Sequence, residues 1–341
     1  MSVTMKEIAF MCGVSRGTVD RVLNNRGGVK PETESHIRAV AKTMGYRALP
    51  LIDQSVATLH PMKIGVLINA IEHPYFAEIL SGIIHSIEEL GDYNISGIVK
   101  MSGGFDVDQQ LRFLDDFEQQ GVNAIAITPS NNPRVAERLN ALSAGGVPVV
   151  VISALLNDFE PFCFVGCNHY KSGRIAASFA SQIVPPGSKI AVVTGSNTMP
   201  GLVLRYNGFM DVLHSIDKTY TVLEPLQTFD DDVIAYKSLS GLVSRHNDID
   251  LFFFAAGGYN GCFQALSDAN LFGKARIISF DTLDMNLNYL RKGVVSALFS
   301  QHPVAQGEIA VKILSNYLLS NTVPPARQHY IPLEILVPES L

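Results

Sequence analysis

Thr4-Met5-Lys6-Glu7-Ile8-Ala9-Phe10-Met11-Cys12-Gly13-Val14-Ser15-Arg16-Gly17-Thr18-Val19-Asp20-Arg21-Val22-Leu23 is the stretch from which the chain is read. Thr4 and Glu7 form a capping box: the hydroxyl accepts from the Glu7 amide and the carboxylate reaches back to the Thr4 amide. Ile8, Ala9 and Met11 continue one apolar helical face. Cys12-Gly13-Val14 reads as a tight turn, since glycine takes positive φ without steric cost. Ser15 is a good N-cap for a second short helix, Arg16 to Leu23. Val19, Val22 and Leu23 form its buried stripe, while Arg16, Gly17, Asp20 and Arg21 share the other face. Two short helices around a glycine turn, with arginines on the exposed face of the second, describe a helix-turn-helix. Pro31 suits the first turn of a third helix, Ile37, Val40, Ala41 and Met44 supply its stripe, and Gly45 ends it.

Charge is divided along the chain. The 341 residues carry a net charge of -6, which by itself argues against a nucleic-acid partner. Residues 1–60 hold eight Lys/Arg against five Asp/Glu, for +3, and the other 281 hold eighteen against twenty-seven, for -9. A basic head on an acidic body fits that division. Hydrophobic residues at 47% and charged residues at 17% suit large cores and exclude a disordered chain. No apolar run approaches the ~18 residues that a spanning helix needs, so no membrane role is expected. The first twenty residues include Lys6, Glu7, Arg16 and Asp20 in place of an apolar leader, and four cysteines in a chain this long make no disulfide framework. The expectation is a cytoplasmic protein.

Beyond the head, apolar strands alternate with helical periods. Lys63 to Ile68 is a strand, Pro74 to Leu90 a helix, Ile95 to Val99 a strand, Val107 to Gln120 a helix, Ala124 to Thr128 a strand, Pro133 to Ala144 a helix and Val147 to Ile152 a strand. The alternation restarts with a helix at Tyr170 to Ile183, a strand at Lys189 to Thr194 and a helix from Gly201 to Ile216, then runs through strands at Leu251 to Phe254 and Arg276 to Phe280. This is the pattern of parallel sheets covered on both faces. Two runs predict an α/β body of two doubly wound lobes behind an all-α head. Ligands of such sheets sit beyond the carboxyl ends of the strands, so facing lobes offer a cleft.

Met5 to Ala9, Cys12 to Ser15, Thr18-Val19, Arg21 to Asn24, Glu32-Thr33 and Gly45-Tyr46 stand in the register of one known head, and the chain resembles the lactose-repressor (LacI/GalR) family. The resemblance implies a recognition helix at Ser15 to Leu23 in the major groove of a double-stranded, near-palindromic operator bound by a homodimer. It places Arg16, Gly17 and Arg21 on base-reading positions; arginine's planar fork matches the O6 and N7 acceptors of guanine. Thr18, Asn24 and Asn25 then meet phosphate, and Thr4, Ser15 and Tyr46 complete the DNA-facing set. Asp20 departs from the family's serine: its carboxylate weakens phosphate contact, and it either orients Arg16 or Arg21 or accepts from a cytosine amino group. In the family a short segment after the third helix forms a hinge helix whose apolar wedge enters the minor groove. Here Arg47 to His60 carries Pro50 and Asp53, and Ser55 stands where the wedge leucine is expected, which leaves Leu51, Ile52 or Val56 for that role.

The body resembles periplasmic sugar-binding proteins over residues 62–341, on His73-Pro74-Tyr75-Phe76, Arg205 to Phe209, Ser279-Phe280-Asp281 and Gln301-His302-Pro303. That implies a head at 1–48, a linker at 49–61, one lobe at about 62–160 and 294–322, and a second at about 161–293 and 323–341, with the chain crossing back near residue 292. The effector is expected to be a sugar or sugar derivative. Phe76 and Phe229 match stacking positions, Arg205 and Asp281 match hydroxyl clamps, and Gln301 matches a crossover contact. His73, Tyr75 and Asn260 are expected as secondary lining. Ser153-Ala154 replace an Asp or Asp-Arg pair, and Gly257-Gly258 replace Asn-Asp, so polar grips are expected to be missing on both lobes.

Other constellations carry less. Cys163, Cys167 and His169 lack a fourth ligand and read as strand and turn packing, not as a metal site. Gly257 to Gly261 has neither a dinucleotide fingerprint nor a P-loop lysine, so no cofactor is expected. Asp106 and Asp108 read as helix-start carboxylates rather than an acid pair. No serine stands in a G-x-S-x-G setting, and no enzymatic constellation emerges. The competing reading, a solute-binding protein for sugar uptake, needs export and leaves the head unexplained.

Overall fold

The computed structural model describes residues 4–23, 27–44, 60–69, 72–104, 106–216 and 219–341. Asn24, Asn25, Tyr46 and the linker residues from Arg47 to Leu59 lie outside the described residues.

The head is three helices, α1 (Met5–Cys12), α2 (Arg16–Leu23) and α3 (Pro31–Thr43). The capping box closes as the spacing predicts: Thr4 N–H donates to Glu7 Oε2 at 2.8 Å, and Glu7 N–H to Thr4 Oγ1 at 3.3 Å. Gly13 takes φ 65° and ends α1. Ser15 Oγ accepts from the Thr18 amide at 3.1 Å, which opens α2. Ile8, Ala9, Val19, Val22, Ile37 and Ala41 are buried together, so the predicted stripes meet, except that Met11, expected on the face of Ile8 and Ala9, is exposed.

The body is two lobes, each built on a parallel sheet, the second with one antiparallel edge strand. The first strands and helices run β1 (Met62–Ile68), α4 (Pro74–Glu89), β2 (Ile95–Met101), α5 (Val107–Gln119), β3 (Ala124–Ile127), α6 (Pro133–Ala144), β4 (Val149–Ile152) and β5 (Cys163–Gly166). The second run is α7 (His169–Ile183), β6 (Lys189–Thr194), α8 (Pro200–Ile216), β7 (Thr221–Val222), β8 (Leu226–Gln227), α9 (Asp232–Arg245), β9 (Leu251–Phe254), α10 (Tyr259–Asp268), β10 (Arg276–Phe280), α11 (Asp284–Arg291) and β11 (Ala297–Ser300). The chain then gives α12 (Pro303–Ser320), β12 (Gln328–Tyr330) and β13 (Glu334–Leu336). The first sheet has the order β12-β5-β4-β3-β1-β2 and the second β13-β11-β10-β9-β6-β7, with β8 also on β6. β3, β4, β9 and β11 are buried along their whole length, as strands covered on both faces must be.

The lobe boundaries differ from those expected. Residues 163–166 belong to the first lobe, because β5 pairs with β4, Val150 opposite Cys163. The return crossover is not near residue 292. After α11 the apolar run Ala297-Leu298-Phe299 adds a further buried strand beside β10, Ile278 opposite Ala297, so the chain leaves the second lobe at Gln301-His302. A third crossing follows, since β12 pairs with β5 and β13 with β11. Three passes therefore join the lobes.

The close helix pairs meet through glycine. A methyl group on Gly173 of α7 would lie 1.8 Å from the Arg205 carbonyl oxygen of α8, and one on Gly208 2.1 Å from that of Tyr170. Gly82 of α4 and Gly307 of α12 do the same against Val304 and Ile79, at 2.1 and 2.2 Å. Backbones that touch so closely leave no room for a side chain. Gly173→Ala is expected to destabilise the body by about 3 kcal/mol through forced separation of α7 and α8. Urea unfolding measures it; a loss under about 0.5 kcal/mol would show that the two helices part freely.

Candidate functional site

A cavity of about 430 Å³ lies between the lobes. Its walls come from the carboxyl ends of strands, where a parallel sheet exposes its loops. The first lobe contributes His73, Tyr75 and Phe76 after β1, Pro129 to Asn132 after β3, and Ser153 to Leu155 after β4. The second contributes Ser196 to Leu202 after β6, Phe229 and Asp230 after β8, Ala256 and Gly257 after β9, Asp281 after β10, and Arg205 from α8. Gln301 joins from the crossover.

The floor is one hydrogen-bonded network. The Arg205 guanidinium donates through Nη1 to the Ala255 carbonyl at 2.6 Å and through Nη2 to Gln301 Oε1 at 2.6 Å. Its Nε donates to Ser172 Oγ at 3.3 Å, and its carbon sits 3.6 Å from the centre of the Phe280 ring. Gln301 Nε2 donates to Asp281 Oδ1 at 2.7 Å, and the Tyr259 hydroxyl to Asp281 Oδ2 at 2.9 Å. Gln306 of α12 donates to Tyr75 Oη at 2.9 Å and to the Gln301 carbonyl at 2.8 Å. Tyr75 Oη and Ser153 Oγ are 2.8 Å apart. Burial pushes the Tyr75 and Tyr259 hydroxyls well above the usual phenol range, so both remain donors.

His169 closes the floor. Its Nε2 faces the Ser153 carbonyl at 2.8 Å and its Nδ1 faces Arg205 Nη2 at 3.4 Å. One nitrogen must donate and the other accept, which is the neutral ring. Burial, with the Arg205 charge beside it, pushes its pKa down to about 4.

Of the residues expected to line the effector site, His73, Tyr75, Phe76, Ser153, Arg205, Phe229, Asp281 and Gln301 all face this cavity. Asn260 does not. It lies on the surface of α10, and its amide donates to Asp232 Oδ2 at 2.9 Å, because the left-handed Gly258 starts the helix with Asn260 turned toward α9. Phe229 is 61% exposed, so one ring face is open to the cleft. His169 and Asp230 are additions; sequence reading placed the first in strand and turn packing and missed the second. The loss of grips expected at Gly257-Gly258 is offset on that lobe, since Asp230 reaches the same place and its Oδ1 accepts from the Gly257 amide at 2.8 Å. The signal was adjacency to Phe229. On the first lobe Ser153 does replace the expected Asp, and its hydroxyl is taken up by Tyr75.

In the head, Ser15, Gly17 and Arg21 are exposed and Thr4, Arg16, Thr18 and Asp20 half-buried, with Arg16 to Arg21 all on α2. Asp106 caps α5 through the Gln109 amide at 3.0 Å, and Asp108 pairs with Arg134 at 2.8 Å, which leaves neither as an acid pair. Cys163 and Cys167 are buried free thiols. Among the described residues no helix is long and apolar enough to cross a membrane.

A three-helix head thus stands ahead of two lobes that enclose a polar-floored cavity. The body matches the periplasmic binding protein domain over residues 64–322, and the head matches the bacterial regulatory proteins of the lacI family over residues 4–48. The chain is 24% identical to the ribose operon repressor of Halalkalibacterium halodurans over 99% of this chain and 96% of that one. It is 24% identical to the ribose import binding protein RbsB of Bacillus subtilis, over 75% of this chain and 81% of that one. A glucose-galactose binding protein, GanP, from Geobacillus stearothermophilus superposes with a TM-score of 0.75 at 21% identity, over 83% of this chain and 99% of that one, which shows the body's fold. The chain belongs to the periplasmic binding protein domain family and carries a lacI-family head; it is a DNA-binding transcriptional repressor.

The neutral His169 makes a pH prediction. Its folded pKa lies below the unfolded value near 6.5, so the unfolded chain binds the extra proton first and stability is lost as pH falls from above 6.5 toward 4. Between pH 7.5 and 5 the loss is about 2 kcal/mol. Glu78, pushed up to about 7 by burial and by Asp281 and Asp284, acts with the opposite sign over part of this window. The readout is therefore the difference between wild type and His169→Gln in urea at the two pH values. Parallel pH dependence in both proteins would rule out a buried neutral imidazole.

Proposed function

We propose that the chain is a homodimeric repressor that binds a near-palindromic double-stranded operator through α2, and that a small carbohydrate-like effector in the cleft sets its operator affinity. The observation that carries the reading is the conjunction of an Arg205-Gln301-Asp281 floor with a lacI-family head in one chain. Guanidinium and carboxylate grips beside an open phenyl face suit a ligand with hydroxyls on its edge and C–H groups on its face. The names of the relatives point to ribose and related sugars. Arg16, Gly17 and Arg21 read bases; Thr4, Ser15, Thr18, Asn24, Asn25 and Tyr46 hold the backbone, and Asp20 acts next to the arginines. Residues 1–48 act as the DNA-binding unit, 49–61 as the linker and the remainder as effector and dimer unit, in the cytoplasm. The chain binds its effector without turning it over.

The switch needs a difference in affinity between two body states, and a coupling of about 1–3 kcal/mol suffices. The alternative, a solute-binding protein for uptake, accounts for the cleft and leaves a helix-turn-helix with nothing to do.

The experiment is selection of an operator from random DNA by the purified chain, followed by binding assays with wild type and variants. Arg21→Ala is expected to lose about 1–3 kcal/mol of the discrimination between operator and random DNA. Arg205→Ala is expected to keep operator recognition and lose the response to sugar. A variant lacking Arg21 whose preference for the operator is undiminished overturns the assignment of α2, and failure to select any sequence overturns the repressor reading.

A further inference from the structure

The segment after β8 holds an unusual carboxylate. Phe229 and Asp230 have φ of 53° and 57°, a region that side chains other than glycine rarely adopt, and strain of this kind persists where the surroundings force it. Three backbone bonds force it here: Thr228 N–H to the Thr194 carbonyl at 2.8 Å, Phe229 N–H to the Gly195 carbonyl at 2.8 Å, and Asp231 N–H to the Thr228 carbonyl at 2.9 Å. The turn aims Asp230 into a nook floored by two glycines. A methyl group on Gly257 would lie 2.9 Å from Asp230 Oδ1 and 2.6 Å from His73 Nε2, and one on Gly195 would lie 3.1 Å from Asp230 Oδ1. Glycine at 195 and 257 is what gives this carboxylate its seat.

The charges of the cleft do not balance. Asp230 and Asp281 are its carboxylates and Arg205 its guanidinium. His169 is neutral by the pattern of its two contacts. His73 Nδ1 accepts from the Tyr75 amide at 3.2 Å, so that nitrogen bears no proton, and Nε2 lies toward the nook. Arg205 and Asp281 share Gln301 and are each otherwise satisfied. Asp230 accepts the Gly257 amide on Oδ1, and among the described residues Oδ2 accepts from no protein donor. One negative charge is left, and burial pushes the Asp230 carboxyl up, although His73, the Gly257 amide and Arg205 favour its charged form.

We infer that the effector carries a protonated amine and that Asp230 is the residue that selects it. The inference rests on the effector reading above and sharpens it. A neutral diol could hydrogen-bond to Asp230 and would leave the charge uncompensated; an ammonium supplies both the donors and the charge. A phosphorylated ligand would bring a second anion into a cavity that already has one to spare. Leu202 and Ala256 border the same nook at Gly195, so the carbon beside the amine meets an apolar wall rather than further hydroxyl grips.

The test is thermal shift followed by calorimetric titration of the full-length protein with glucosamine, galactosamine and mannosamine, each beside its neutral parent and its phosphate ester. At least one amino sugar is expected to bind about tenfold or more tightly than its parent, with the ester weaker than either. Asp230→Asn is expected to bring that pair within about threefold, and Asp230→Ser provides the same readout where the asparagine variant does not fold. Parents or esters that bind as tightly as the amines overturn the inference and leave the effector reading standing, as does a preference that survives in both variants. Stabilisation by no compound of any class overturns the effector reading itself.

Discussion

Arg205 is 2% exposed, and a guanidinium taken out of water costs several kcal/mol unless its donors are met. The body is arranged to meet them. Ala255 at the end of β9, Gln301 at the crossover, Ser172 and His169 on α7, and the face of Phe280 on β10 all converge on this one side chain. Arginine suits the task because its charge is not shed on burial and its fork reaches several partners at once. The consequence is geometric. With the guanidinium fixed, Gln301 is held with its amide turned to Asp281, and the Asp281 carboxylate is presented to the cavity without a direct ion pair to collapse onto.

The same constraint explains why the imidazole beside it is neutral. A protonated His169 would place an N–H against the Arg205 N–H and add a second cation to a buried site. Neutral, it accepts from Arg205 and donates to Ser153, which ties the second lobe to the end of β4 in the first. Ser153, Phe229, Asp230 and Asp281 all border the cavity with φ between 53° and 67°. Each such residue costs on the order of 1–3 kcal/mol, and their gathering at one place marks the cleft as the part of the body shaped by binding more than by stability.

Much of this was legible in the sequence where a short-range rule decides. The capping box at Thr4, the glycine turn at Gly13 and the Ser15 cap depend on neighbours within four residues, and the structure has them where spacing put them. Alternating strand and helix periods gave both sheets, and the sugar-binder resemblance led to Arg205, Asp281 and Gln301. What was illegible is set by long-range geometry. Residues 297–300 are apolar enough for either lobe, and only pairing beside β10 decides between them. His169 stands one residue after a helix cap, where nothing local distinguishes a packed ring from one that lines a cleft. Asp230 carries no local signal beyond its place next to Phe229; its role depends on Gly195 and Gly257 making room from two other loops. Asn260 failed for the opposite reason, since a surface partner at Asp232 claims its amide.

The displaced crossover changes how the cleft and the join between lobes are related. Had the chain returned near residue 292, the residue that lines the cavity floor and the segment that links the lobes would be separate. Gln301 instead is both: its side chain bridges Arg205 and Asp281, and its own carbonyl accepts from Gln306, whose amide also holds Tyr75 of the first lobe. His302, next in line, takes φ of 50° to turn the chain into α12, which packs by glycine contact on α4. A ligand that draws on the Gln301 amide therefore competes for its bonds to Arg205 and Asp281, at the residue whose own carbonyl bond to Gln306 leads into the first lobe. Differential binding to two arrangements of the lobes needs no relay across the protein, because the affected bonds belong to the connecting segment itself.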